Sequence, residues 1–128
     1  MPSPRSRSRD PEALLPLTPA IFHIMLALAD GPSHGYAMVQ EVGALTNGRL
    51  MIGEGTLYRS TERMLEEGFI EEIARGERTE HADARRRTYR LTPWGRTVAR
   101  AEGERVAALA EVVIARGLVQ PLKRRRNA

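Results

Sequence analysis

Within "GEGTLYRSTERMLEEGFIEE", Gly53 to Glu72, the side chains of Thr56, Tyr58, Arg59 and Arg63 supply hydroxyls and guanidinium forks early in the stretch, and Glu66 and Glu67 follow late. Guanidinium and hydroxyl groups hydrogen-bond well to phosphate oxygens and to the edges of bases. The chemistry they suggest is recognition of a polyanion. Catalysis has less to stand on, because no glycine-rich phosphate loop, nucleophile elbow or paired carboxylates can be found in the chain. No enzyme activity and no cofactor are expected.

Read as a helix, the stretch puts Leu57, Thr61, Met64 and Leu65 on one face and Arg59, Glu62, Arg63 and Glu66 on the other, with Tyr58 on the flank. A helix dipole favours acidic residues early and basic ones late, so this gradient costs a few tenths of a kcal/mol, roughly. A recognition helix enters the major groove by its N-terminal residues, which gives the gradient a use. A solvated face with helpful spacings such as Arg63 to Glu67 accounts for the same pattern, and both readings stay open. Glu54, at the helix start, would repel phosphate unless it points aside or accepts a hydrogen bond from a cytosine amino group.

The elements that must position these residues are punctuated clearly. Thr18 caps and Pro19 opens a first helix in which Ile21, Ile24, Met25 and Leu28 recur at helical spacing, and Gly31-Pro32 stops it. Ser33 is placed to cap a second helix, "HGYAMVQEVGALT", with Tyr36, Val39 and Val42 on one side. The third helix runs from about Glu54 to Glu67, with Gly68 as its left-handed exit. "FIEEIA", with Phe69 and Ile73 on one side, and "RRTYRL", with Tyr89 and Leu91 on one side, read as two strands around a polar tip, "RGERTEHADA". Thr92-Pro93 opens a last helix reaching about Arg116. The order α-α-α-β-β-α is that of a winged helix-turn-helix: a mainly α, α+β fold with a two-stranded wing and a long C-terminal helix.

"DGPSHGYAMVQEV", "GEGTLYRSTERMLEEGFIE" and "RRRTYRLTPWGR" resemble the three signature blocks of PadR-like winged-helix transcriptional regulators, over about Leu17 to Arg116. The resemblance implies a homodimer held by the C-terminal helix and helix one, usually repressing nearby genes. In some relatives a small aromatic or cationic compound near the dimer interface relieves repression. Arg59 departs from the family pattern, which usually has proline after the tyrosine, and Glu54 stands where proline or a small residue commonly begins the helix. Both lie at the expected reading end, so the recognised sequence need not match that of any relative.

The DNA-binding residues expected are therefore Thr56, Tyr58, Arg59 and Arg63 on the third helix, with Arg78, Arg85 and Arg86 in the wing, where Glu77, Glu80 and Asp83 dilute the positive field. The terminal helix is apolar on more than one side. Val98, Ala101, Val106, Leu109, Val112 and Val113 are the dimerisation residues expected of it. Tyr36 and Tyr89 are expected in the core, and Trp94 against the hairpin. His81 with Glu80 and Asp83 lacks the ligand count and rigid spacing of a metal site, so no metal is expected.

Bulk properties agree. One domain suits 128 residues, and 41% hydrophobic with 28% charged residues is ordinary for a folded chain. Only Lys123 among the 20 basic residues is lysine, and the pI is near 10.3, although the formal charge is just +4. The placement of the arginines therefore matters more than their total. Without cysteine, a membrane-length apolar run or a secretory signal, a cytoplasmic protein is expected. The boundaries drawn are a flexible basic arm over 1–16, with room for a short turn at "DPEALL", a winged-helix domain over 17–91, a dimerisation helix over 92–117 and a basic tail over 118–128. The partners expected are double-stranded DNA carrying a pseudo-palindromic operator, a second copy of the chain and, where the resemblance extends so far, a small-molecule effector. Two other functions stay open: an architectural protein coating DNA without sequence preference, and a winged-helix module that meets another protein.

Overall fold

A computed structural model describes residues 9–73 and 86–121. In chain order the elements are α1 (Pro19–Leu28), β1 (Ser33–His34), α2 (Gly35–Leu45), α3 (Glu54–Glu67), β2 (Ile70–Ile73), β3 (Thr88–Leu91) and α4 (Pro93–Ala115). Arg78 and Arg85, like His81 and the basic ends beyond Arg9 and Pro121, lie outside the described residues.

The first helix forms as its sequence requires. Thr18 Oγ1 accepts from Ile21 N at 3.2 Å, Pro19 occupies the first turn, and Ile21, Ile24, Met25 and Leu28 are all buried. Around them the core gathers Met38 and Val42 of α2, Leu57 and Met64 of α3, Phe69 and Ile70, Tyr89 and Leu91 of β3, and Val98 of α4.

Helix α2 departs from expectation. Its cap is His34, whose Nδ1 accepts from Ala37 N at 3.2 Å, because Ser33 is drawn into a short strand opposite Tyr89. The sheet is therefore three-stranded and antiparallel, in the order β1-β3-β2, not a two-stranded wing alone. Gly35 N also donates to Arg87 O at 3.1 Å, which seats the first turn of α2 against β3 by its glycine. The buried stripe becomes Gly35, Met38 and Val42, and Tyr36 is turned outward, 51% exposed, where the core had been expected.

Strand β2 pairs with β3 through Ile70↔Leu91, Glu71↔Arg90, Glu72↔Tyr89 and Ile73↔Thr88. Tyr89 and Leu91 face inward, while Arg90 on the outer face reaches Glu71 at 2.7 Å. Phe69 lies just before β2, with its backbone in a knot at the sheet base. Phe69 O accepts from Thr92 N at 3.0 Å, and Thr92 Oγ1 bonds Gly68 O while accepting from Gly95 N at 2.9 Å. Gly95 packs so closely there that a Cβ would overlap the Phe69 carbonyl oxygen.

The expected flexible arm is docked from Arg9 onward. Asp10 caps a short 3-10 helix, Pro11–Leu14, by accepting from Glu12 N at 3.0 Å. Leu14 and Leu15 pack on the core, and the Arg9 guanidinium stacks 4.6 Å over the partly buried Trp94 ring. Apolar "ALL" outweighs the prolines here. The strap ends at Leu17, whose N–H donates to Glu102 Oε2 at 3.1 Å.

Glu102 is 2% exposed, and Arg105 bonds both its oxygens, at 2.6 and 3.1 Å. The Arg105 hydrogen bonds hold its carboxyl below the usual carboxylate range, outweighing burial, which pushes the other way, and the Leu17 N–H adds to the lowering. A lowered folded-state value contributes stability that is complete above the unfolded-state value and is lost as pH falls through the folded one. The thermal midpoint of the wild type should therefore drop more steeply in acid than that of Glu102→Gln, and the two should converge. Parallel curves would count against a charged, bonded Glu102.

Candidate nucleic-acid interface

The cap residue of helix α3 is Gly53, so no side chain of the cap residue occupies the N–H groups of the first turn. One turn beyond Gly55, Arg59 leans back over that turn, as helical side chains do. Its Nη2 approaches Thr56 Oγ1 at 3.4 Å, and a Cβ at Gly55 would stand 3.1 Å from Nη1. The bare backbone of Gly55 leaves room for the guanidinium. The Arg59 guanidinium thus reaches back towards the helix start on its exposed side, where Glu54 is the acidic residue of the first turn, with Tyr58 beside it at 54% exposure and Thr56 half-buried beneath. Gly55 was not singled out in the sequence, though a glycine one turn before an arginine is a readable signal.

Arg63 goes elsewhere. Its Nε bonds Glu67 Oε2 at 3.2 Å, drawing the side chain towards the acidic end of α3. There it lines a small pocket of about 120 Å³ with Leu14, Pro16, Thr18 and Phe69. The two arginines of α3 therefore point in opposite directions along its axis, and only Arg59 sits with Thr56 and Tyr58. On the buried face, Leu57, Ser60, Thr61 and Met64 fix the roll of the helix; Leu65 is only half-buried.

The wing root approaches α3 through Tyr89 and Arg87. Tyr89 is fully buried, and burial raises its pKa against the opposing effects of Thr61 and Arg87. Among the described residues, Tyr89 Oη and Arg87 Nε are buried without a hydrogen-bond partner, and the nearby Thr61 hydroxyl donates to Leu57 O at 2.9 Å. Arg86, next in line, is exposed. Among the wing residues expected to meet DNA it is the one within the described residues.

The terminal helix divides in two. Gly95, Val98, Ala101 and Glu102 are buried within the single chain, so Val98 and Ala101 leave almost no surface for a second one, contrary to their expected role. This half of the helix packs against the strap, α1 and β3. Beyond Gly103 the helix projects from the body, with Val106, Leu109 and Val112 at 40%, 52% and 47% exposure and Val113 half-buried. A shallow cleft of about 460 Å³ lies between α1 and the α2–α3 connection, lined by Pro19, His23, Leu45 and Arg49 among others. No metal-binding group and no helix long and apolar enough to cross a membrane exist among the described residues.

A three-helix body with the polar face of α3 exposed, flanked by a sheet at the wing position, defines a winged helix-turn-helix protein. Residues 24–101 match the family described as "Transcriptional regulator PadR-like family". The chain belongs to that family, whose members regulate transcription by binding DNA and are not enzymes. Among solved structures, a transcriptional regulator from Clostridium thermocellum shares 29% identity at a TM-score of 0.62, covering 77% of this chain and 89% of that one. A PadR-like transcription factor from Bacteroides fragilis shares 26% at a TM-score of 0.59, covering 73% and 85%. The PcaV transcriptional regulator of Streptomyces coelicolor, solved with its natural ligand, shares the fold at 23% identity and a TM-score of 0.60, covering 77% and 62%. A search of curated protein sequences finds no match.

Proposed function

We propose that the protein is a dimeric, sequence-specific repressor that reads an inverted repeat with α3 in the major groove and the hairpin as a wing. The observation that carries this reading is Arg59, folded back over the first turn of α3 on its exposed face, where a duplex entered by that helix end would meet it. Thr56 and Tyr58 orient the helix on the backbone, Arg86 extends the contact along the wing, and Arg78 and Arg85, outside the described residues, are proposed as further DNA contacts. Arg63 contacts phosphate only if it leaves Glu67.

Pairing is supported by the projecting half of α4, where Val106, Leu109, Val112 and Val113 form an apolar stripe that the chain's own core does not cover. Repression, and its relief by a small compound near the paired helices, follow the family resemblance, and the ligand-bound PcaV offers a precedent on the same fold.

Selection of bound duplexes from a random pool, at near-physiological salt, tests the whole. An enriched inverted repeat, its half-sites about one helical turn apart, is expected. Binding without enrichment would replace this reading with the architectural one, and no binding at low salt would replace it with a protein partner. Leu109→Glu should sediment as a folded monomer and bind the full repeat about a hundredfold more weakly, because the second half-site contact is lost. A dimeric Leu109→Glu would remove α4 from the interface.

A further inference from the structure

We infer that the Glu102 clamp sets the half-site spacing that the protein accepts; this rests on the dimeric reading above. Glu102 is the last buried residue of α4 and stands where the helix leaves the body. Towards the start of the helix, α4 is held by Val98 in the core and by Arg96 Nη1 on Ala29 O at 3.3 Å. At the point of departure the strap packs on α4 beside the buried Ala101, and the polar tie across to it is the Glu102 carboxylate, which accepts from Leu17 N at 3.1 Å while Arg105, on the next turn of α4 itself, fixes the carboxylate's orientation. One carboxylate thus ties the strap leading into α1 to the helix that carries the apolar stripe.

Geometry makes this junction sensitive. Residues 104 to 115 project beyond it, roughly 18 Å at 1.5 Å per residue, so a tilt of about 10° at the root moves the tip by about 3 Å. Two-fold symmetry applies the displacement on both sides, giving about 6 Å between the two reading helices, comparable with roughly two base-pair steps of 3.4 Å. A stiff root restricts the pair of α3 helices to one spacing; a loose one admits several. The clamp touches no residue of the reading end, so it acts on spacing without acting on base preference. Glu102 is a positioning residue in this sense.

The test is duplex selection with folded, full-length Glu102→Gln beside the wild type, scored separately for half-site sequence and half-site spacing. Gln keeps the shape and one acceptor for Leu17 N but loses the charged bond to Arg105. The same half-site sequence is expected, with a spacing distribution broadened from one value to several. Affinity for the best-spaced repeat should fall about tenfold while affinity for a single half-site is unchanged. Arg105→Ala, at an exposed position, should shift spacing in the same direction more weakly, and it carries the test if Glu102→Gln does not fold. A single unchanged spacing in the folded variants would overturn the inference while leaving the dimeric reader intact. A wild type that enriches half-sites at no fixed spacing would overturn both.

Discussion

Gly95→Ala is expected to leave the protein largely unfolded. An alanine Cβ would overlap the Phe69 carbonyl oxygen and stand 2.7 Å from its carbon and 3.0 Å from its Cα. All three are backbone atoms, so no side-chain rotation relieves the overlap. Moving Phe69 is also costly, because its ring is 2% exposed in the core and its carbonyl accepts from Thr92 N, a bond that fixes the start of α4. The loss should reach about 4 kcal/mol or more, the range reserved for severe steric conflicts, against a total stability of roughly 5–15 kcal/mol for a domain. Gly103, on the same helix with nothing within 4 Å of a built Cβ, is the matched control. There alanine should gain up to about 1 kcal/mol from helix propensity. Urea unfolding of both variants decides the matter. A Gly95→Ala protein within about 1 kcal/mol of the wild type would mean that the knot at the sheet base yields more readily than its geometry indicates.

Arg59→Ala should have the largest effect on recognition. Loss of a well-placed guanidinium from base edges costs about 1–3 kcal/mol, so affinity for the selected operator should fall tenfold to about a hundredfold. Affinity for random duplex should fall much less, and the selected sequence should lose information at the positions Arg59 meets. Gly55→Ala is the companion. Its Cβ crowds the far end of a flexible side chain, so the fold should survive and the same loss should appear in weaker form. Titration of both variants against operator and random duplex checks this. Equal losses on every sequence would reduce Arg59 to a phosphate contact and remove the base-reading part of the proposal.

The legible parts of the fold were those whose cause is local. Thr18-Pro19 and Thr92-Pro93 cap their helices as written, and the stripe from Ile21 to Leu28 is buried residue for residue, because capping and helical spacing act within one or two turns. What escaped was decided by distant neighbours. Tyr36 is as apolar as the pattern requires, yet the bond from Gly35 N to Arg87 O turned it out of the core. Strand β1 is too short to carry any periodicity. Glu102 reads as an ordinary helical charge until Leu17 N, far away in the chain, is found against it. In the site, Tyr58 and Arg59 could be picked out because they lie on the polar side of a short amphipathic helix. The diversion of Arg63 towards Glu67 was visible only as a spacing whose use was undecided.

Helix α4 gives its first turns to one chain's core and its later turns to the outside, and this division has a consequence for dose. The core closes on Val98 before the apolar stripe begins, so if chains pair through that stripe as proposed, each would bring its own core to the pairing and association would be a separate equilibrium. Below the dimer dissociation constant, the concentration of pairs rises with the square of the concentration of chains. Promoter occupancy would then switch over a narrower range of protein level than single-chain binding allows, and a compound that alters pairing by a few-fold would move the threshold without touching a base contact.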